Sequence, residues 1–577
     1  MTADQIAILA LLAGLLAAFA SGRFRLEVVA LSGLALGAAL GLVPADRIFS
    51  GFANPAVITV VEILLIVRLL SRARLLEAAT ERLLARLRGP GRARAALLAL
   101  AAALSSVMNN VGAFALMLPV VQAAARRTGL APRAILLPVS YATLLGGLCT
   151  LIGTPPNLLA SEALSDAVGR GFGFFDFALA GVPAALAGLA ALLLWAPRVL
   201  DPDPEEAQAL DPSPVVAELT LPEGSPLVGR ALADLPRGLA VRGIERAGRA
   251  VSPLWPRTPL AAGDRLLAEA DPRTLDALRA EGALALAAAA PARGAEPMQA
   301  VISPASPLVG SPAGALAFLE DAGARLVAVG LGPRPRLIEG RLADLRLGVG
   351  DVLHLEGPPE ALRRALGERD ALLLAPGPEE TGPAPPLWPL AAFGLGVAAA
   401  GFGLADPAAA FGAVLLALLL GGALRLRAGL ASLDWGVIVM LAAMIPLGEA
   451  AATTGAAASL AGAVASLPAV ASPPLAIGAI LLLAAALTPL VNNAALVVAL
   501  APIAVELAEV SGAPPQPFLI ALAAGASLDF LTPFGHHNNT LAHGLGGYRF
   551  SDFPRAGWPV LLSAAAAAWA ATVLFWT

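Results

Sequence analysis

Apolar stretches of membrane-spanning length recur along this 577-residue chain, at Ile6 to Ala20, Val28 to Val43, Phe175 to Ala196, Leu387 to Gly401, Phe411 to Leu424 and Leu561 to Trp576. A hydrocarbon layer about 30 Å thick takes roughly 20 apolar residues of helix to cross, and it holds no water to satisfy a stray backbone group. One buried core helix can imitate such a segment, but hardly so many within one chain. Composition agrees, with 58% hydrophobic and 14% charged residues and a mean hydropathy of +0.76, whereas soluble domains carry about 25% charge. The first stretch has no basic leader and runs into Ser21, Gly22 and Arg23 without a small-residue cleavage pattern. It is expected to be a retained anchor rather than a cleaved signal peptide.

The same composition excludes several classes. A single cysteine, Cys149, rules out an intrachain disulfide and a multi-cysteine metal site. A net charge of -4 argues for no charged partner, and the 38 Lys and Arg residues sit in loops, where they set topology rather than bind nucleic acid. No Gly-x-x-x-x-Gly-Lys-Ser/Thr loop is present, so ATP does not drive the chain, and nothing points to an enzyme or a cofactor.

Basic loops at Arg23 and Arg25, from Arg68 to Arg94, at Arg126, Arg127 and Arg133, and at Arg198, Arg425, Arg427, Arg549 and Arg555 fix an orientation. If all are cytoplasmic, both chain termini lie outside and some apolar segments enter and leave on one side. Glu77 to Leu87 reads either as an amphipathic surface helix or as a basic loop.

From about Asp201 to Pro385 the sequence turns to short β-like runs, Pro-Gly punctuation and charge, the pattern of a soluble α+β insert. It repeats itself: Ser225-Pro226-Leu227-Val228-Gly229 returns as Ser306-Pro307-Leu308-Val309-Gly310, and Gly263-Asp264 returns as Gly350-Asp351 ahead of a strand. Two copies of one small domain, about 215 to 285 and 298 to 367, are expected in place of one large one, with linkers at Gly282 to Gly294 and Gly377 to Pro386. The predicted organisation is a membrane half at 1–200, insert domains at 201–297 and 298–385, and a membrane half at 386–577.

Polar interruptions carry the function. Asn109-Asn110 breaks the first half and Asn492-Asn493 the second, and the second Asn of each pair precedes a proline, Pro119 or Pro502, by 9 residues. Further on, Thr150, Gly153, Thr154 and Asn157 are answered by Thr532, Gly535, His536, His537 and Asn539, with the Thr, Gly and Asn at the same internal spacing. The separation from Asn110 to Asn157 is 47 residues and from Asn493 to Asn539 it is 46. Four co-ordered elements at matched distance make an internal repeat. Gly and Pro break a spanning helix, and the freed backbone is tolerated at membrane depth only where it lines a polar site. Carbonyl, Asn and Thr oxygens there suit Na⁺, while amide hydrogens and Asn NH₂ groups suit an anion. The basic loops put the two halves in opposite orientation, the arrangement of carriers with inverted repeats.

These motifs resemble the divalent anion:sodium symporter family of the wider ion transporter superfamily, which includes citrate, arsenite and sodium/proton carriers. That family's Ser-Asn-Thr triplets fall on Asn109-Asn110-Val111 and Asn492-Asn493-Ala494, and its Gly-Thr-x-Pro-Asn element falls on Gly153 through Asn157. The resemblance implies inverted repeats with re-entrant hairpins and broken helices, elevator-type movement, and a homodimer of a fixed scaffold with a moving transport unit. It also implies sodium ligands at Asn109, Asn110, Gly153, Asn492, Asn493 and Gly535, and anion contacts at Asn110, Thr154, Asn157, Asn493, Thr532, His536, His537 and Asn539. Both triplets have lost their hydroxyls, so sulfate or another oxyanion stands beside a dicarboxylate as the solute. The insert resembles paired RCK (TrkA-C) C-terminal domains, which implies a cytoplasmic module open to a small-molecule regulator. The expected location is a bacterial inner or plasma membrane.

Of the isolated ionisable residues, Glu62, Asp434 and Glu449 read as helix-end or packing residues, and Asp529, three before Thr532, as a coupling carboxylate. Proton coupling or sodium/proton antiport through Asp529 and the histidines, and a ligand-gated channel with the insert as sensor, are the rival readings.

Overall fold

The computed structural model describes the chain apart from residues 22–25, 73–88, 129–130, 132, 201–214, 237, 288–294, 303–305, 307, 322, 332–337, 339, 359–361, 363–364, 367–370, 374–387, 425, 432, 434, 466–471 and 534. The segment Glu77 to Leu87, the linker Gly377 to Pro386, Arg23, Arg25 and Asp434 therefore lie outside the described residues. The chain forms two compact units, one of residues 1–201, 383–538 and 551–577, the other of residues 202–382 and 539–550.

The first unit is helical. Its N-terminal part runs α1 (Ala3–Ser21), α2 (Leu26–Ala39), α3 (Pro55–Arg72), α4 (Pro90–Val107), α5 (Asn110–Thr128), α6 (Arg133–Gly147), α7 (Pro155–Val168) and α8 (Ala178–Leu200). After the insert come α9 (Trp388–Gly401), α10 (Pro407–Leu420), α11 (Leu426–Ala431), α12 (Trp435–Thr453), α13 (Ala456–Ala465), α14 (Pro473–Leu487), α15 (Asn493–Val510), α16 (Pro515–Ser527), α17 (His537–Gly546), which from Asn539 onward belongs to the second unit, and α18 (Asp552–Trp576). Among the described residues, α8, α12, α15 and α18 are long and apolar enough to cross a membrane, and six shorter helices are apolar as well. Proline opens α4, α7, α10, α14 and α16, where its missing N–H costs nothing and its fixed φ suits a first turn. Gly169 ends α7 in the left-handed conformation, φ 77°, and returns its N–H to Ser165 O.

Leu395, Leu404, Leu420 and Leu574 are each more than 70% exposed, an apolar surface that a bilayer rather than water covers. α6 is buried from Ala134 to its end, and α16 is buried from Pro517 to its end. The successions α4–α8 and α14–α18 share their close approaches. A methyl group on Gly146 of α6 would strike the Ala102 carbonyl of α4, and one on Gly525 of α16 would strike the Leu481 carbonyl of α14. Gly181 of α8 meets Leu148 O just after α6, as Gly557 of α18 meets Phe530 O just after α16. Small residues let backbones touch, which is how helices associate where lipid is as apolar as leucine.

The second unit is built on one nine-stranded sheet of β1 (Val215–Thr220), β2 (Leu239–Arg246), β3 (Arg249–Ala250), β4 (Arg265–Ala270), β5 (Ala285–Leu286), β6 (Glu296–Ile302), β7 (Arg325–Gly330), β8 (Val352–Gly357) and β9 (Ala371–Leu373). Its order is β3-β2-β4-β1-β7-β8-β6-β9, with β5 on β1. The repeated sequence motifs make the same bonds twice. Gly229 N donates to Leu260 O and Gly310 N to Leu347 O, both at 2.8 Å. The buried Asp264 carboxylate accepts from Ala261 N at 2.8 Å and the buried Asp351 carboxylate from Gly348 N at 2.7 Å. Each copy has its own apolar core, around Leu219, Leu266 and Leu275 in one and Leu319, Leu353 and Leu362 in the other. The copies do not form separate sheets, because β1 pairs with β7 through Val215 and Val216 and fuses the two edges. Pairing those edges satisfies backbone groups that two free-standing sheets would leave to solvent or to a foreign strand.

Candidate ion and solute site

Each Asn pair lies at the tip of a helical hairpin, and the two asparagines of a pair do different work. Asn109 immediately precedes α5, its side-chain oxygen accepting from Gly112 N at 2.7 Å. Asn492 opens α15, its oxygen accepting from Ala494 N at 3.0 Å and Ala495 N at 3.3 Å. Both are helix caps that satisfy first-turn donors. Asn110 and Asn493 are buried inside their tips. A hydroxyl five residues earlier lies 2.8 Å from each carboxamide, Ser105 from Asn110 and Thr488 from Asn493. The family triplets lack their hydroxyls here, and the first arm of each hairpin supplies one instead. Both were visible in the sequence as a hydroxyl residue at the same spacing from the second asparagine.

The Asn110 carboxamide faces acceptors, Gly153 O at 3.2 Å, Thr143 O at 3.1 Å and Ser105 Oγ at 2.8 Å, so its NH₂ turns toward them. Gly153 comes from the break between α6 and α7. That break is clipped by Asn157, whose NH₂ donates to Gly147 O at 3.2 Å and Thr150 O at 2.8 Å, satisfying carbonyls that the end of α6 leaves open. Thr150 donates its hydroxyl to Ser106 O and so ties the break to the hairpin. Thr154 is buried and extended at the start of α7, with no side-chain cap bond.

The second half repeats the tie. Thr488 Oγ1 lies 2.6 Å from Ala526 O at the end of α16, as well as beside Asn493. Beyond α16, Asp529 is fully buried, and Gly535 makes room for it, since a Cβ there would collide with its carboxylate. Thr532 Oγ1 accepts from Gly535 N at 3.2 Å. His536 accepts at Nδ1 from Asn538 N at 3.1 Å, capping α17 and leaving its ring proton on Nε2. His537 is the first residue of α17, with its ring 6.2 Å from that of His536, and Asn539 is fully buried. Phe534 lies outside the described residues.

The halves meet through side chains that sequence reasoning did not single out. Asn538, at the start of α17, donates its NH₂ to Asn110 O at 2.8 Å and to Thr143 Oγ1 at 2.7 Å. Tyr141 of α6 donates to Phe530 O at 2.6 Å, in the break of the other half. α15, which carries Asn493, packs against α7, which carries Asn157. Asn493 itself bonds within its own half, to Thr488. Among the described residues no group of three or more His, Cys, Asp or Glu side chains could hold a metal ion; the polar groups gathered here are carboxamides, hydroxyls and backbone ends, with the Asp529 carboxylate and the His536 and His537 imidazoles in the second break.

A multi-span helical bundle with an inserted sheet, whose hairpin tips and helix breaks are hydrogen-bonded together in its interior, has the parts of a solute carrier. The chain belongs to the citrate transporter family, whose sequence profile matches residues 16–525. It is 29% identical over 551 residues to an uncharacterised transporter of Synechocystis, covering 90% of this chain and 89% of that protein. An uncharacterised transporter of Escherichia coli is 28% identical over 598 residues, 97% of each chain. Sodium/sulfate cotransporter 1 of Chlamydomonas reinhardtii is 33% identical over 288 residues, 44% of this chain and 32% of its own. The protein is thus an integral multi-pass secondary transporter for a small anion, not an enzyme.

Proposed function

We propose that the protein is a sodium-coupled symporter of a small anion, sulfate or another oxyanion or a dicarboxylate, working by elevator-type alternating access. The observation that carries this reading is the twin hydroxyl–carboxamide pair, Ser105 with Asn110 and Thr488 with Asn493, each at 2.8 Å inside a hairpin tip. The Ser105 and Thr488 hydroxyl oxygens, the Asn493 carboxamide oxygen and the backbone carbonyls beside them are neutral oxygens that suit a hard monovalent cation. Sodium would be held at Asn109, Asn110 and Gly153 in one half and at Asn492, Asn493 and Gly535 in the other. The N-termini of α5, α7, α15 and α17 favour an anion between them. Asn110, Thr154, Asn157, Asn493, Thr532, His536, His537 and Asn539 would face it, and the Nε2 proton of His536 is a donor for an oxyanion. The sodium/sulfate cotransporters of Chlamydomonas among its relatives support sodium and sulfate, and membership of the citrate transporter family keeps carboxylates in the set.

On this reading the chain is a homodimer in a bacterial inner or plasma membrane, with its halves inverted about the site. The sheet-bearing insert is cytoplasmic and is a pair of RCK C-terminal-like domains open to a small-molecule regulator, a role that the twofold recurrence of its turns supports.

Proton coupling or sodium/proton antiport is the second reading, favoured by the buried Asp529 carboxylate behind Gly535. Uptake of labelled sulfate and labelled succinate into proteoliposomes, each under an inward sodium or an inward proton gradient, separates the two. Sodium-driven uptake that disappears in Asn110→Ala and Asn493→Ala is the expected result. Proton release on sodium addition without solute uptake selects the antiporter, and current without saturable flux selects a channel.

A further inference from the structure

Asn538 stands out from the symmetry of the two halves. Its counterpart in the first break is Pro156, which has no polar side chain, while Asn538 is fully buried and reaches across to the other half. Asn110 O can only accept, so the nitrogen of the Asn538 carboxamide is the atom that faces it. The oxygen of the same carboxamide, Oδ1, is buried and has no hydrogen-bond partner among the described residues. A buried carbonyl oxygen without a donor is costly, and natural proteins seldom keep one unless something else neutralises it.

Among the described residues the surroundings do not offer that oxygen a donor. Thr143 Oγ1 and Asn110 O are taken by the Asn538 nitrogen, and the Asn110 NH₂ is committed to Gly153 O, Thr143 O and Ser105 Oγ. The first hairpin tip carries Ser105 Oγ of α4, Thr143 O of α6 and Gly153 O of the first break, each with a lone pair left beyond the one facing the Asn110 NH₂, and the Asn538 carboxamide from the second half lies against Asn110 with its Oδ1 unmet. Such a set answers to a hard cation.

We infer that Asn538 is a ligand of the cation bound at the first hairpin tip, so that this site is completed only when Asn538 of the second half is seated on Asn110. This rests on the symport reading and deepens it. Cation binding in one half then depends on the position of the other, and the NH₂ of Asn538 holds Asn110 in register while Oδ1 coordinates. The first-half counterpart, Pro156, can make no reciprocal contact, so the two cation sites are inequivalent.

The test is sodium-dependent thermal stabilisation of the purified full chain, titrated with sodium chloride against choline chloride at constant ionic strength, together with sodium-dependent sulfate and succinate uptake. Asn538→Ala is expected to lower the melting temperature in choline modestly, because Asn110 O loses its donor, and beyond that to raise the half-effective sodium concentration by about tenfold. If Asn538→Ala proves unstable in choline, Asn538→Ser, whose shorter arm cannot place an oxygen in the site, is held to the same criterion. A half-effective sodium concentration within about twofold of wild type, in whichever of the two variants folds, overturns the role of Asn538. A wild-type protein that shows neither stabilisation nor uptake with sodium overturns the symport reading itself, and the two failures are thereby distinguished.

Discussion

The Tyr141 hydroxyl donates to the carbonyl of Phe530 at 2.6 Å, joining the buried helix α6 of the first half to the break that follows α16 in the second. Both residues are fully buried, and their rings meet edge-on with centroids 5.1 Å apart. The bond satisfies a carbonyl that the end of a helix would otherwise leave open, at a point where no water is available to replace it. Tyr141→Phe keeps the ring contact and strands the carbonyl. The expected cost is about 1–3 kcal/mol, read as a lower melting temperature of the detergent-solubilised protein, with Tyr141→Leu lower still.

The two asparagines of each tip are expected to separate by phenotype. Asn492→Ala removes a cap and should destabilise by about 1 kcal/mol, and Asn492→Ser, which restores a capping oxygen, should recover most of it. Asn493→Ala, one residue on, should change stability less and abolish uptake. Melting curves and proteoliposome uptake on the same preparations measure both, and equal stability losses at the two positions would contradict the division of labour.

Arg133 and Asp552 form an ion pair at 2.7 Å, with side-chain exposures of 17% and 8%. Arg133 opens α6 and Asp552 opens α18, so the pair ties the halves at a second place. Removing one partner leaves the other charge poorly solvated, and Asp552→Ala is expected to cost about 3–5 kcal/mol. The double variant Arg133→Met, Asp552→Leu should be more stable than Asp552→Ala alone, a comparison made by chemical denaturation of the three proteins side by side.

Gly535→Ala is expected to disable transport without unfolding the protein. The added methyl meets the Asp529 carboxylate, which is enclosed and has little room to retreat. Overpacking of this kind costs about 1–3 kcal/mol and moves the loop that bears Thr532 and His536. Saturable uptake should be lost while size-exclusion behaviour is kept. Recovery of uptake on adding Asp529→Ala to the same protein would locate the clash.

In the insert, desolvation by burial within β8 holds His354 below the usual imidazole range, against a smaller opposing pull from Asp276. A depressed folded-state value means that the unfolded chain binds the extra proton first. The sheet's stability is therefore fully present above about pH 6.5 and falls as the pH drops through that value toward the folded one. Hydrogen exchange in β6 and β8 of the full chain should accelerate between pH 7.5 and pH 5.5 beyond the intrinsic chemical trend. His354→Leu should remove that excess.

Much of the site was legible because its signals are local. Asn110 and Asn493 could be picked out from the sequence because adjacent amides interrupt an apolar run, and Gly153 and Gly535 because a glycine breaks a helix there. Ser105 and Thr488 were equally visible at their constant spacing, but a hydroxyl on an apolar helix has too many ordinary uses to be singled out. Asn538 carried no signal at all: it sits beside Asn539, which matched the repeat, and its partners lie 428 and 395 residues away.

By itself, the sequence determined the solvent the chain lives in, the recurrence of its motifs in the helical parts and in the insert, and the places where helices stop. These are written in near neighbours, through hydropathy, proline, glycine and capping residues, and they do not depend on what packs against what. Only the tertiary structure decided that Asn109 and Asn492 are caps while Asn110 and Asn493 are enclosed, that two insert repeats share one sheet, and that Tyr141 and Asn538 bind one half to the other. Those outcomes turn on which backbone groups are left open when distant segments come together, and a buried polar atom finds its partner by proximity in space rather than by position along the chain.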